Sequence, residues 1–107
     1  MNAETFVKHW KDEKDYLLKL YTSDDEKSAV SEKIKKLNLN SKQKKILNDL
    51  LNDMLNDTFI TFLLGLDGVA NIGNGMQENF KIFDEEGKLI AERGEIEEKV
   101  YQYFPRT

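Results

Sequence analysis

The chain has 107 residues, with 16 Lys and Arg against 20 Asp and Glu, one His, no Cys and a formal net charge of −4. That is one domain's length, enough to bury about two-thirds of the surface an unfolded chain exposes; the missing cysteine excludes disulfides and thiolate metal sites and suits a reducing cytosol. The opening MNAETFVKHW lacks a charged-then-apolar leader, and the longest nearly apolar run, 59–66, is far short of the about 20 residues that cross a bilayer, so a cytoplasmic protein off the membrane is expected.

Asn2 is placed to cap a first helix over 3–21, with Glu4 in its first turn. Phe6, Trp10, Leu17 and Tyr21, with Val7, Leu18 and Leu20 beside them, form its apolar stripe; Lys8, Lys11, Asp12, Lys14 and Asp15 are assigned to the wet side. Ser23-Asp24-Asp25-Glu26 reads as a capping box. It would open a second helix over 24–37, thinly apolar at Val30, Ile34 and Leu37. Asn38-Leu39-Asn40 breaks that helix, and Ser41 is expected to cap the next.

The third helix, 42–64, is the element the rest is built around. LNDL (47–50), LNDM (51–54) and LNDT (55–58) repeat every four residues. Four residues turn a helix by about 400°, so the apolar band drifts by about 40° per repeat and winds around the helix. One end is therefore expected to be exposed and the other engulfed. Leu51, Leu55, Phe59, Phe62 and Leu63 are the residues expected inside.

Near residue 65 the composition changes. All six glycines follow residue 64; residues 1–64 carry 11 basic and 11 acidic side chains, and residues 65–107 carry 5 and 9. Glycine costs a helix interior about 1 kcal/mol relative to Ala, so helices are expected before this point and turns and strands after it. Asp67-Gly68 signals a turn. Residues 78–83 and 88–91 flank Asp84-Glu85-Glu86-Gly87 and form a hairpin closed by Gly in the left-handed conformation. Two strands alone are marginal, and Val69–Ile72 is the expected third. In the tail, Ile96, Val100 and Tyr103/Phe104 stand at helical spacing while Tyr101 and Tyr103 alternate; a short helix is favoured over a strand. The expectation is a single α+β domain over 1–107, helical over 1–64 and hairpin-containing over 65–107. About three N-terminal helices pack with an antiparallel hairpin or three-stranded sheet and a short C-terminal helix or strand.

No catalytic arrangement emerges. His9 sits in a helical run, and Ser23, Ser28, Ser31 and Ser41 hold cap or surface positions without a nucleophile elbow. Asp67–Glu78 has the length of a calcium loop, but Val69 stands where an oxygen ligand is needed and Ile72 where glycine is needed. Gly73-Asn74-Gly75 begins a dinucleotide fingerprint that Glu78 fails to complete. No enzyme, cofactor or metal is expected.

Charge is more informative. Asp49, Asp53 and Asp57 recur every four residues, an acidic stripe on one helix face, and Asp84, Glu85 and Glu86 form a second acidic group; both are candidates for a basic protein partner. Lys33, Lys35, Lys36, Lys42, Lys44 and Lys45 crowd the joint between the second and third helices. Of these, Lys36, Lys42, Lys44 and Lys45 are the candidates for anion or nucleic-acid binding, the second reading. With no Arg before residue 93 and a negative net charge, nucleic acid ranks below protein. Nothing specifies an oligomeric state.

DTFITFLLGLDG (57–68), the glycine-rich loop, NFKIFDEEGKLI (79–90) and GEIEEKVYQYF (94–104) resemble small acidic bacterial proteins encoded singly or beside toxins as immunity partners. The resemblance covers the last half of the chain. It implies a non-enzymatic, immunity- or antitoxin-like inhibitor that occludes a toxin's active face through charge and shape; the acidic groups above make a basic partner the expected one.

Overall fold

The computed structural model describes residues 1–105. In chain order it has α1 (Ala3–Thr22), α2 (Ala29–Lys36), α3 (Ser41–Leu66), the strands β1 (Ile82–Phe83) and β2 (Leu89–Ala91), and α4 (Glu95–Tyr103). This is an α+β arrangement in which α1, α3 and α4 pack on one another and a small antiparallel hairpin lies against α1.

The helix starts are set by side chains that satisfy orphan backbone N–H groups. Asn2 Oδ1 accepts from Thr5 N–H at α1. At α2 the expected start at Ser23 is not used as a helix cap. Ser23 Oγ accepts from Asp25 and Glu26 N–H, but the chain turns there and the helix begins five residues later. Ser28 and Ser31 form the reciprocal box instead, each hydroxyl accepting from the other's backbone N–H. At α3 the cap is Asn40, one residue before the expected Ser41, and Gln43 returns the bond to Asn40 N–H. Asn38 takes the left-handed conformation (φ 52°) that ends α2.

α1 and α3 run antiparallel: Trp10 meets Phe59 and Phe62, while Lys14, further along α1, meets Asn52, further back on α3. α4 closes the far end, stacking Phe104 on Phe59 at 5.8 Å and donating from Tyr103 Oη to Glu4 at 2.8 Å. Ala3, Val7, Ile60, Leu63, Ala91, Ile96, Val100 and Phe104 form the buried core, all at that end. The molecule is correspondingly long. Its radius of gyration is 16.5 Å, against about 13 Å for a compact chain of this size, because α3 alone extends about 39 Å.

The hairpin forms where expected but is shorter, and its pairing steps from Phe83–Leu89 to Ile82–Ala91, leaving Ile90 as a bulge. Gly87 (φ 84°) closes the turn, with Gly87 N–H bonded to the Asp84 carbonyl. The third strand at Val69–Ile72 does not form. Val69 N–H is taken by the Leu64 carbonyl and Gly68 N–H by the Gly65 carbonyl, a Schellman closure of α3 with Gly68 left-handed at φ 76°. A Cβ on Gly68 would lie 2.9 Å from the Glu78 carbonyl oxygen, so the returning chain crosses there at close range instead of pairing.

Asp67 does more than signal that turn. Its side chain is 1% exposed and accepts from Ile96 N–H (3.1 Å) and Glu97 N–H (2.9 Å). The residue before α4, Gly94, has no side chain with which to cap it. A carboxylate 29 residues upstream therefore supplies the N-terminal cap of α4 and ties it to the end of α3.

Candidate interaction surface

Of the residues expected inside α3, only Leu63 is fully enclosed; Leu51, Leu55 and Phe59 are half-buried and Phe62 is 45% exposed. The LND repeat explains the difference. Consecutive residues are about 100° apart on a helix, so Leu, Asn and Asp of each repeat take three different directions. Asn52 and Asn56 are half-buried beside Leu51 and Leu55, while Asp49, Asp53 and Asp57 are exposed. The inward face of this half of α3 is thus shared between leucine and asparagine.

Facing it on α1 is Lys14, assigned to the wet side by residue type but 3% exposed in the fold. Its position, seven residues after Val7 and four after Trp10, lies on the inward stripe. The ammonium donates to Asn52 Oδ1 and lies 3.6 Å from Asp15. Burial pushes its pKa down, helped by the neighbouring Lys11 charge. One turn along α3, Asn56 Oδ1 is buried with no hydrogen-bond partner among the described residues. A polar seam therefore divides the well-packed end of the α1–α3 pair from the open end.

The open end carries the most distinctive surface. Ile46, Leu50 and Met54 are each more than half exposed, in a row of four-residue spacing. Asp49, Asp53 and Asp57 follow them by three residues, which places each carboxylate about 60° around the helix from the apolar side chain before it. Two parallel rows result, one apolar and one acidic. Lys42 stands four residues before Ile46 and Lys45 four before Asp49, so each row begins with a cation. Thr58, Thr61 and Phe62 continue the surface past Met54, where they line a shallow depression with Asp57.

The remaining candidates lie elsewhere. Lys36 is exposed in the last turn of α2, and Lys42, Lys44 and Lys45 are exposed in the first turn of α3. Lys35, Asn38, Leu39 and Lys44 share a cleft with Asp24 and Ile34. Asp84 is half-buried, and its Oδ1 accepts from Glu86 and Lys88 N–H, so this carboxylate holds the turn; Glu85 and Glu86 project from the same turn. The hairpin leans on α1 through β2, and its acidic group stands on a different element from the α3 row. His9 is exposed on α1.

The sequence reading missed the outward row Ile46–Leu50–Met54. Its signal was present: the apolar band of α3 is wider than one buried face requires. Among the described residues no helix is long and apolar enough to cross a membrane, and no group of three or more His, Asp or Glu could hold a metal ion. No family model, curated protein or solved structure matches the chain.

Proposed function

We propose that this chain is a non-enzymatic interaction protein that docks a basic protein partner on the outward face of α3. The observation that carries this reading is the pairing of an acidic row, Asp49, Asp53 and Asp57, with an uncovered apolar row, Ile46, Leu50 and Met54. Carboxylates in water add little affinity but steer association and reject wrong partners. The apolar row supplies the area whose burial holds the complex. An immunity- or antitoxin-like inhibitor of the cytoplasm is the specific form, and it rests on the resemblance of residues 57–104 to such proteins.

Changing Asp49, Asp53 and Asp57 together to Asn tests it. Stability should hold or rise slightly, because like charges four residues apart repel. Proteins captured from the source cell by the wild-type chain should associate more slowly with the variant, and salt should slow the wild type in the same way. Equal capture by both at low salt would remove the acidic row from the reading.

The Lys corner supports a second reading, nucleic-acid association. Among the described residues no ion pair engages Lys36, Lys42, Lys44 or Lys45. It ranks lower because the acidic row begins one turn beyond Lys45 and repels phosphate. Binding that falls steeply with salt and is lost when Lys42, Lys44 and Lys45 become Gln would reverse the order.

A further inference from the structure

We infer that the segment seated on α3 is a basic amphipathic helix of the partner, an inference that rests on the reading of α3 as the docking face. An apolar row of that helix lies on Ile46, Leu50 and Met54, and a row of Lys or Arg lies on Asp49, Asp53 and Asp57.

The shape of the surface selects a helix. Rows of four-residue spacing are the ridges that pack helices together; the i±4 ridges of one fit the groove between the i±4 ridges of the other, crossing at about −50°. The apolar and acidic rows bound such a groove. A β-strand gains less here, because the backbone groups of α3 are paired within the helix and offer no edge to a ladder.

The charges select the occupant. A second copy of this chain, set antiparallel across Leu50, is related by a two-fold axis that keeps each flank opposite its own equivalent. Asp49 of each copy would then face Asp49 and Asp53 of the other at the centre of the contact, and Lys45 would meet only the outer end of the opposite row. Nucleic acid meets the same repulsion from the three carboxylates. A row of cations on an apolar helix is complementary at every position from Asp49 to Asp57. Lys42 and Lys45 set the limit: the basic row of the partner must end before them, which fixes its register along α3.

The test uses three synthetic peptides of equal length with the full chain labelled for NMR. The first has a Leu row and an adjoining Lys row, each at four-residue spacing. The second replaces Lys by Glu. The third keeps the composition of the first but shuffles the order so that neither row survives. The Lys-row peptide should shift resonances along 46–62 and bind about tenfold or more tighter than the other two, with affinity falling as salt rises. Leu50→Ser and Asp53→Asn, both at exposed positions and so compatible with folding, should each weaken it severalfold. Equal binding of the shuffled peptide, or shifts confined to surfaces other than α3, would overturn the inference. Cellular partners that depend on the acidic row, without any preference for the Lys-row peptide, would overturn the helical occupant while leaving α3 as the docking face. Partners indifferent to the acidic row would remove both.

Discussion

Replacing Asp67 with Ala removes a cap that comes from outside the helix it serves. Two N–H groups lose their acceptor. The one on Ile96, a residue with no exposed surface, cannot reach water; the one on Glu97 is only partly buried. A buried donor left unpaired costs about 1–3 kcal/mol, and an ordinary cap is worth about 1 kcal/mol. The expected loss is therefore about 2–4 kcal/mol. Asp67→Asn keeps one acceptor oxygen but loses the negative charge favoured at a helix N-terminus, and its loss should be about half as large. Gly94 cannot compensate, since it has no side chain and sits at φ 91°. Urea titration followed by Trp10 fluorescence measures the effect, with an unchanged slope showing that the unfolded state is not altered. Hydrogen exchange should also lose protection first at Ile96–Val100. A loss below about 0.5 kcal/mol, with α4 still protected, would show that the long-range cap does not hold this helix.

Two further predictions follow from buried or bonded polar groups. Burial lowers the Lys14 pKa from its ordinary 10.5, so the unfolded chain binds the extra proton and stability rises with pH from that lowered value up to about 10.5. Tyr103 donates to Glu4 and its pKa is raised from 10.0, so its contribution is present below 10.0 and lost as pH climbs through the raised value. Alkaline stability profiles should separate the two: Lys14→Met keeps the fall and loses the rise, while Tyr103→Phe does the reverse. The orphan acceptor gives the other prediction. Asn56→Leu should raise stability by about 1 kcal/mol, since it removes an unpaired buried oxygen; a lower urea midpoint would mean that this amide is needed for register.

Much of the architecture could be read from local chemistry. Asn2, the four-residue repeat of α3, the glycine boundary near residue 65, the Asp84–Gly87 turn and the spacing of Ile96 and Val100 each specify their own segment. The reason is that capping, periodicity and left-handed turns are decided by residues a few positions apart. The start of α2 shows the limit of that reasoning. Ser23 and Ser28 both offer a hydroxyl to the backbone, and only packing of the short helix, with Ser31 buried, chooses between them.

The candidate surface was legible in half. Carboxylates every four residues must share a helix face whatever surrounds them, so Asp49, Asp53 and Asp57 could be grouped from the sequence. Which apolar row stays uncovered depends on how α3 is rotated against α1, and that rotation is set by groups far apart in the chain. Lys14 meeting Asn52, Trp10 against Phe59 and Phe62, and Phe104 stacked on Phe59 turn α3 so that Ile46, Leu50 and Met54 point outward. Asp67 belongs to the same class. Its own neighbours mark it as a turn residue, and only the return of the chain 29 residues later brings two backbone donors to its carboxylate. Periodicity determines that an apolar band exists; the fold decides which part of it meets water, because burial is a property of contacts that no local pattern contains.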